Sequence, residues 1–129
     1  MWARFSSART SMVGLLLLAA LACSDATAPS VRAVAGTYTA TRLATTTNGV
    51  TTDELAAGMS IEITLNPDGT TTGMMVVPGK PNEDLTGTWS LNGAAVRLNH
   101  SADTFLRDMT LAVRGNTLVG DQVFGGTRV

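Results

Sequence analysis

Short alternating segments joined by turns of a few residues constrain this chain more than any other feature. Ser60 to Leu65 alternates without a break: Ile61, Ile63 and Leu65 share one face and Ser60, Glu62 and Thr64 the other, the period of a strand with one buried side. Asn66-Pro67-Asp68-Gly69 follows at once. Pro67 presets φ, Asp68 accepts the bridge region and Gly69 supplies the positive φ of a hairpin bulge. The next strand runs from Thr70 to Val77 and stops at Pro78. After the loop 79–84, Leu85, Gly87, Trp89 and Leu91 share a face opposite Thr86, Thr88 and Ser90, and Asn92-Gly93 is the strongest short hairpin signal. It leads into a strand from Val96 to Asn99 and a connection through His100 to Asp103. A segment from Phe105 to Val113 follows, with Met109, Leu111 and Val113 in phase, and Gly115-Asn116 turns the chain into Thr117 to Phe124.

With a Thr-rich strand from Gly36 to Thr45 at the front, these segments predict an all-β fold, a small antiparallel up-and-down meander or barrel of seven to eight strands. Parallel pairing would need crossover helices, for which the connections are too short. No segment keeps apolar residues at helical spacing for three turns, and the 19 threonines from residue 27 onward favour strands. The one helical candidate is Thr52 to Ala57, read as a loop or single turn at the barrel mouth.

The 129 residues suffice for one domain, which we place at 35–129. A net charge of −1, from 9 Lys and Arg against 10 Asp and Glu, supplies no basic surface for a phosphate backbone, so no nucleic-acid partner is expected. One cysteine cannot build an intramolecular disulfide framework, and one cysteine with one histidine cannot build the usual zinc site.

The N-terminal region reads as an address. Arg4 and Arg9 precede an apolar run from Met12 to Ala22, with four leucines at 15–18 and then small residues up to Cys23, the three-part layout of a secretory signal at 1–22. The run is about 11 residues, against the roughly 17 to 25 that a permanent membrane helix needs. The domain should therefore stand after an N-terminal signal helix, removed on export, and a flexible linker at 23–34 carrying Pro29.

Ala20-Leu21-Ala22-Cys23 resembles the lipobox of bacterial lipoproteins, small or apolar residues before an obligatory cysteine. The resemblance implies cleavage before Cys23 and acylation of that residue, hence a membrane partner reached through the N-terminal lipid. Ser24 in place of Asp after the cysteine implies an outer-membrane address. Ordinary signal-peptidase cleavage after Ala-Leu-Ala, leaving a free thiol, is the alternative. The domain's opening Gly36-Thr37-Tyr38, echoed by Gly87-Thr88-Trp89, resembles the Gly-x-Trp that begins lipocalin-type barrels, in which a late arginine, here Arg128, packs on the first aromatic residue. The small barrel inhibitors of secreted metalloproteases are similar in size and opening, although their disulfide cannot form here. These resemblances imply a module that binds an apolar small molecule or lipid in a cavity lined by Tyr38, Met75, Trp89 and Met109, or a filled barrel that serves a structural or protein-binding role against an envelope protein.

Catalytic chemistry is not expected, and no cofactor or metal is implied. His100 has Ser101 and Asp103 beside it, but triad members converge from distant segments, so a solvated loop histidine is the plainer reading. The acid pairs Asp53/Glu54 and Glu83/Asp84 fall in predicted loops, where such pairs serve solvation. Glycines 73, 87 and 120 suggest bulges or close packing. Met74 and Met75 suit an irregular core.

Overall fold

The structure is a computed structural model that describes residues 28–129. It begins with one helical turn, α1 (Val31–Val34), capped by the Ser30 hydroxyl accepting from the Ala33 amide at 3.2 Å. Strands β1 (Gly36–Thr39), β2 (Ala44–Thr47), β3 (Val50–Asp53), β4 (Ser60–Leu65) and β5 (Thr70–Val76) follow, then β6 (Glu83–Asp84), β7 (Gly87–Asn92) and β8 (Ala95–His100). A second helical turn, α2 (Phe105–Asp108), precedes β9 (Thr110–Arg114), β10 (Thr117–Val119), β11 (Val123–Phe124) and β12 (Thr127–Arg128). One antiparallel sheet takes the order β1-β4-β5-β7-β8-β9-β10, with β6 also on β5, and is nearly closed as a barrel. A second sheet, β11-β12-β2-β3, is built from the continuations of the two outermost strands.

The fold class is the one the alternation predicts. Along β4 and β8 buried positions alternate with more exposed ones, and on β7 Trp89 is buried between exposed Thr88 and Ser90, with Gly87 and Leu91 half-buried, as the period of two requires. The turn 66–69 closes as expected, with the Gly69 amide donating to the Asn66 carbonyl at 3.0 Å and the Asp68 carboxylate accepting from the Thr70 amide at 2.9 Å. At 92–95 the turn is displaced by one residue. Asn92 is still in the ladder, opposite Ala95, and Gly93 takes the first central position at φ +60°, as a type II′ turn needs.

Four segments depart from the expected strands. Gly36 to Thr45 breaks at residues 40–43 into β1 and β2, which belong to different sheets. The hairpin of β2 with β3 turns on Asn48-Gly49, both at positive φ in the type I′ manner, between two threonine-rich runs that carry no apolar alternation. Phe105 to Asp108 is helical instead of extended, and the strand starts only at Thr110. Arg107 reaches back one helical turn to Asp103 at 2.6 Å while Leu106 and Met109 face the core, so this turn satisfies both sides of the segment. Thr117 to Phe124 breaks at 120–122, where Gly120 passes so close to Met109 that a Cβ would overlap its sulfur.

The linker expectation also needs correction at its C-terminal end. Val34 is 1% exposed within the core, and its carbonyl accepts from the Tyr38 hydroxyl at 2.5 Å. The folded body therefore starts at Ser30. A single buried valine outweighs the polar, Pro-containing character of the stretch before it.

Candidate functional site

Every chain reversal from β4 to β5, β7 to β8 and β9 to β10 lies at the end of the barrel where α1 sits. The opposite end carries α2 and the connection from β5 to β6. Between them the interior is one continuous cluster of buried side chains. Val34 belongs to it at the α1 end, Leu65, Leu85 and Val96 in the body, and Leu106 and Met109 at the α2 end.

Of the residues expected to line a cavity, Met75, Trp89 and Met109 are buried in this cluster and Tyr38 is half-buried against it. They do not form a ring. Trp89 belongs to the α1 end, its amide donating to the Gly69 carbonyl at 2.9 Å and its indole Nε1 to the Asn66 carbonyl at 2.8 Å. Met75, opposite Ile61 and Glu83, and Met109, just beyond α2, belong to the other end. Tyr38 lies on the outermost strand, and its hydroxyl pKa is raised by burial. A shallow groove of about 200 Å³ opens outside the indole, between Val31, Pro67, Gly69, Trp89 and Leu91. That is below the roughly 300 to 1,000 Å³ of ordinary small-molecule sites. Cys23 lies outside the described residues, as do the signal segment and the start of the linker.

Arg128 does not serve as the late arginine of a lipocalin. It forms a two-pronged pair with Asp121, with Nε to Oδ1 at 2.7 Å, and its strand registers it opposite Thr46 on β2, whereas Tyr38 lies on β1. That pair lowers the Asp121 pKa and raises that of Arg128.

His100 is not a solvated loop residue. It ends β8 in phase with Val96 and Leu98, is 5% exposed, and its Nε2 lies 2.8 Å from the Thr104 hydroxyl. No partner reaches Nδ1 among the described residues. With the proton on Nε2, Nδ1 keeps only an unused lone pair, less costly than a buried, unpaired N–H. Desolvation depresses the imidazole pKa, Arg107 adds to the effect and Asp108 opposes it. Ser101 and Asp103 are both exposed, and Asp103 is held by Arg107, so neither forms a relay with the ring.

The acid pairs are occupied by local structure. Asp53 accepts from the Leu55 and Ala56 amides at 3.1 Å each, and Glu54 accepts from the Thr45 hydroxyl at 2.5 Å. Asp84 accepts from the Thr86 amide at 2.9 Å, where the strand kinks between β6 and β7, and Thr86 lowers its pKa. Comparison with protein-family models, with curated proteins and with solved structures returned no match to this chain.

Proposed function

We propose that this chain is an exported envelope lipoprotein, tethered through Cys23 at the outer membrane, whose small β-barrel is a non-catalytic module that binds another protein on its outside. The observation that carries the binding mode is the interior. Aliphatic side chains occupy it from Val34 to Leu106, each of α1 and α2 adding one buried side chain, so the barrel resembles the filled kind more than the ligand-holding kind. The tether rests on the lone cysteine at a lipobox-like junction. Because the folded body starts at Ser30, a flexible segment from Cys23 to Ser30 would place the α1 end at a root-mean-square distance of about 15 Å from the acylated cysteine. The rest of the barrel wall would then face away from the bilayer.

Two measurements test this reading. Cys23→Ala should leave unprocessed precursor and abolish labelling by a fatty-acid probe; labelling that persists in the variant refutes the tether. Trp89 is the sole tryptophan after residue 22, so emission of the processed protein reports on the interior. It should be blue-shifted and unchanged by oleate. A saturable change on oleate addition would mean that the interior opens to apolar ligands, and the cavity reading would replace this one.

A further inference from the structure

Among the described residues no strand pairs with the outer edge of β1 or with that of β10, and the registers define what lines the place between them. Six successive antiparallel pairings lead from β1 to β10, so these two outermost strands run in the same direction. Among the described residues no backbone hydrogen bond joins them. Beyond their breaks, β2 and β11 continue the two rims, and there β12 lies between them, antiparallel to both. The seam between β1 and β10 is the prolongation of the place that β12 fills.

The groups along the seam follow from the registers. The Ala40 amide donates to the Ile61 carbonyl at 2.9 Å, so Ala40, Tyr38 and Gly36 direct their main-chain groups to β4. The amides and carbonyls of Thr37 and Thr39 therefore point away from β4 into the seam. On the other rim, Arg114 and Thr117 close a two-residue turn and form a hydrogen-bonded pair, which turns the main-chain groups of Leu118 away from β9. The Val113 amide, opposite Leu118, accordingly donates to the Ala94 carbonyl on the far side, at 2.8 Å. The seam floor is apolar: Tyr38 and Leu118 pack on the core but remain half-buried.

We infer that the seam is a strand-docking site for an extended segment of a partner protein, running antiparallel to both β1 and β10. The segment would carry small apolar side chains at alternate positions toward Tyr38 and Leu118 and polar ones outward. The seam-facing main-chain groups of Thr37 and Thr39 on one side and Leu118 on the other have no backbone partner among the described residues. They ask for a backbone, not a small molecule, and the common direction of β1 and β10 fixes its polarity. The β3 edge offers less. Its four residues are exposed throughout, so an added strand there would cover no core. The inference rests on the protein-binding reading and gives that reading a place on the molecule.

The test uses the full chain in mild detergent, amide exchange followed by NMR, and a synthetic peptide Lys-Thr-Val-Thr-Val-Thr-Lys. Protection by a bound strand follows one plus the ratio of peptide concentration to Kd. At about ten times Kd, exchange at Thr37, Thr39 and Leu118 should therefore slow about tenfold. The same peptide N-methylated at alternate residues should give no protection, a control that leaves the protein unaltered. Thr39→Pro, which removes one seam-facing donor, should weaken protection at Thr37 and Leu118. Absence of protection at millimolar peptide overturns the inference, as does equal protection by the N-methylated peptide or protection confined to Thr51 and Asp53 on β3. These failures are separable from failure of the protein-binding reading, which shows instead as a response of Trp89 emission to oleate.

Discussion

Trp89 and His100 both reach the core, and each has one ring nitrogen held there by a hydrogen bond. Trp89 declared its burial through phase with Leu85 and Leu91, and the structure leaves it 7% exposed with its N–H on the Asn66 carbonyl. Trp89→Ala should cost about 3 to 5 kcal/mol, much of a small domain's stability, read as a fall in the urea midpoint; a loss below about 1 kcal/mol would contradict that packing. His100 was equally in phase with Val96 and Leu98, but polarity argued for solvent, and only the Thr104 hydroxyl makes its burial tolerable. The consequence is a pH dependence. A histidine whose folded pKa is depressed binds protons more readily unfolded, so stability is complete above the ordinary value of about 6.5. It falls as the pH drops below that value toward the depressed folded one. Urea midpoints should decline between pH 7.5 and 5.5 in the native chain and stay flatter in His100→Gln; a native midpoint constant over this window would show that the ring titrates freely in the fold.

At the scale of elements, strands bounded by Pro, Gly and Asn were readable because local chemistry alone sets their ends. The elements that escaped are those whose identity depends on distant contacts. α1 forms from Val31 to Val34 because Val34 enters the core and Tyr38 hydrogen-bonds its carbonyl, and neither partner is visible in the local pattern. α2 likewise replaces an apparent strand because Leu106 and Met109 reach the core from a turn that Asp103 and Arg107 brace on the outside. Burying a valine is worth about 1.5 to 3 kcal/mol, and its removal would also leave the Tyr38 hydroxyl without its acceptor. A fragment spanning 36–129 should therefore be less stable than one spanning 28–129 by at least about 1.5 kcal/mol, measured by denaturant unfolding of the two. Equal midpoints would return α1 to the linker.

Across the whole molecule, stability should be graded around the barrel, because the interior strands of the first sheet carry buried apolar side chains and the strands of the second sheet carry none. Strands β4, β5, β7 and β8 place Ile61, Leu65, Met75, Trp89 and Leu98 in the core. In the second sheet β3 is exposed at every position, Val50 is 67% and Val123 61% exposed, and β11 and β12 are two residues each. What joins this sheet across its middle is largely polar: the Thr47 and Thr127 hydroxyls at 2.8 Å and Thr46 with Thr51 at 2.9 Å, bonds exposed to competition from water. Local opening of β2, β3, β11 and β12 therefore uncovers no fully buried side chain and only Phe124 among those packed on the core, whereas opening of β7 from β8 exposes Trp89 and Val96. Hydrogen exchange followed by mass spectrometry should find strand amides in 44–53 and 122–129 exchanging well before those in 60–76 and 87–100, with the second group released only at the global unfolding free energy. Release of both groups together, at one free energy, would mean that the second sheet is as firmly part of the cooperative unit as the barrel wall. The unfilled seam would then be a fixed slot between rigid rims and not one bordered by strands that yield as a partner enters.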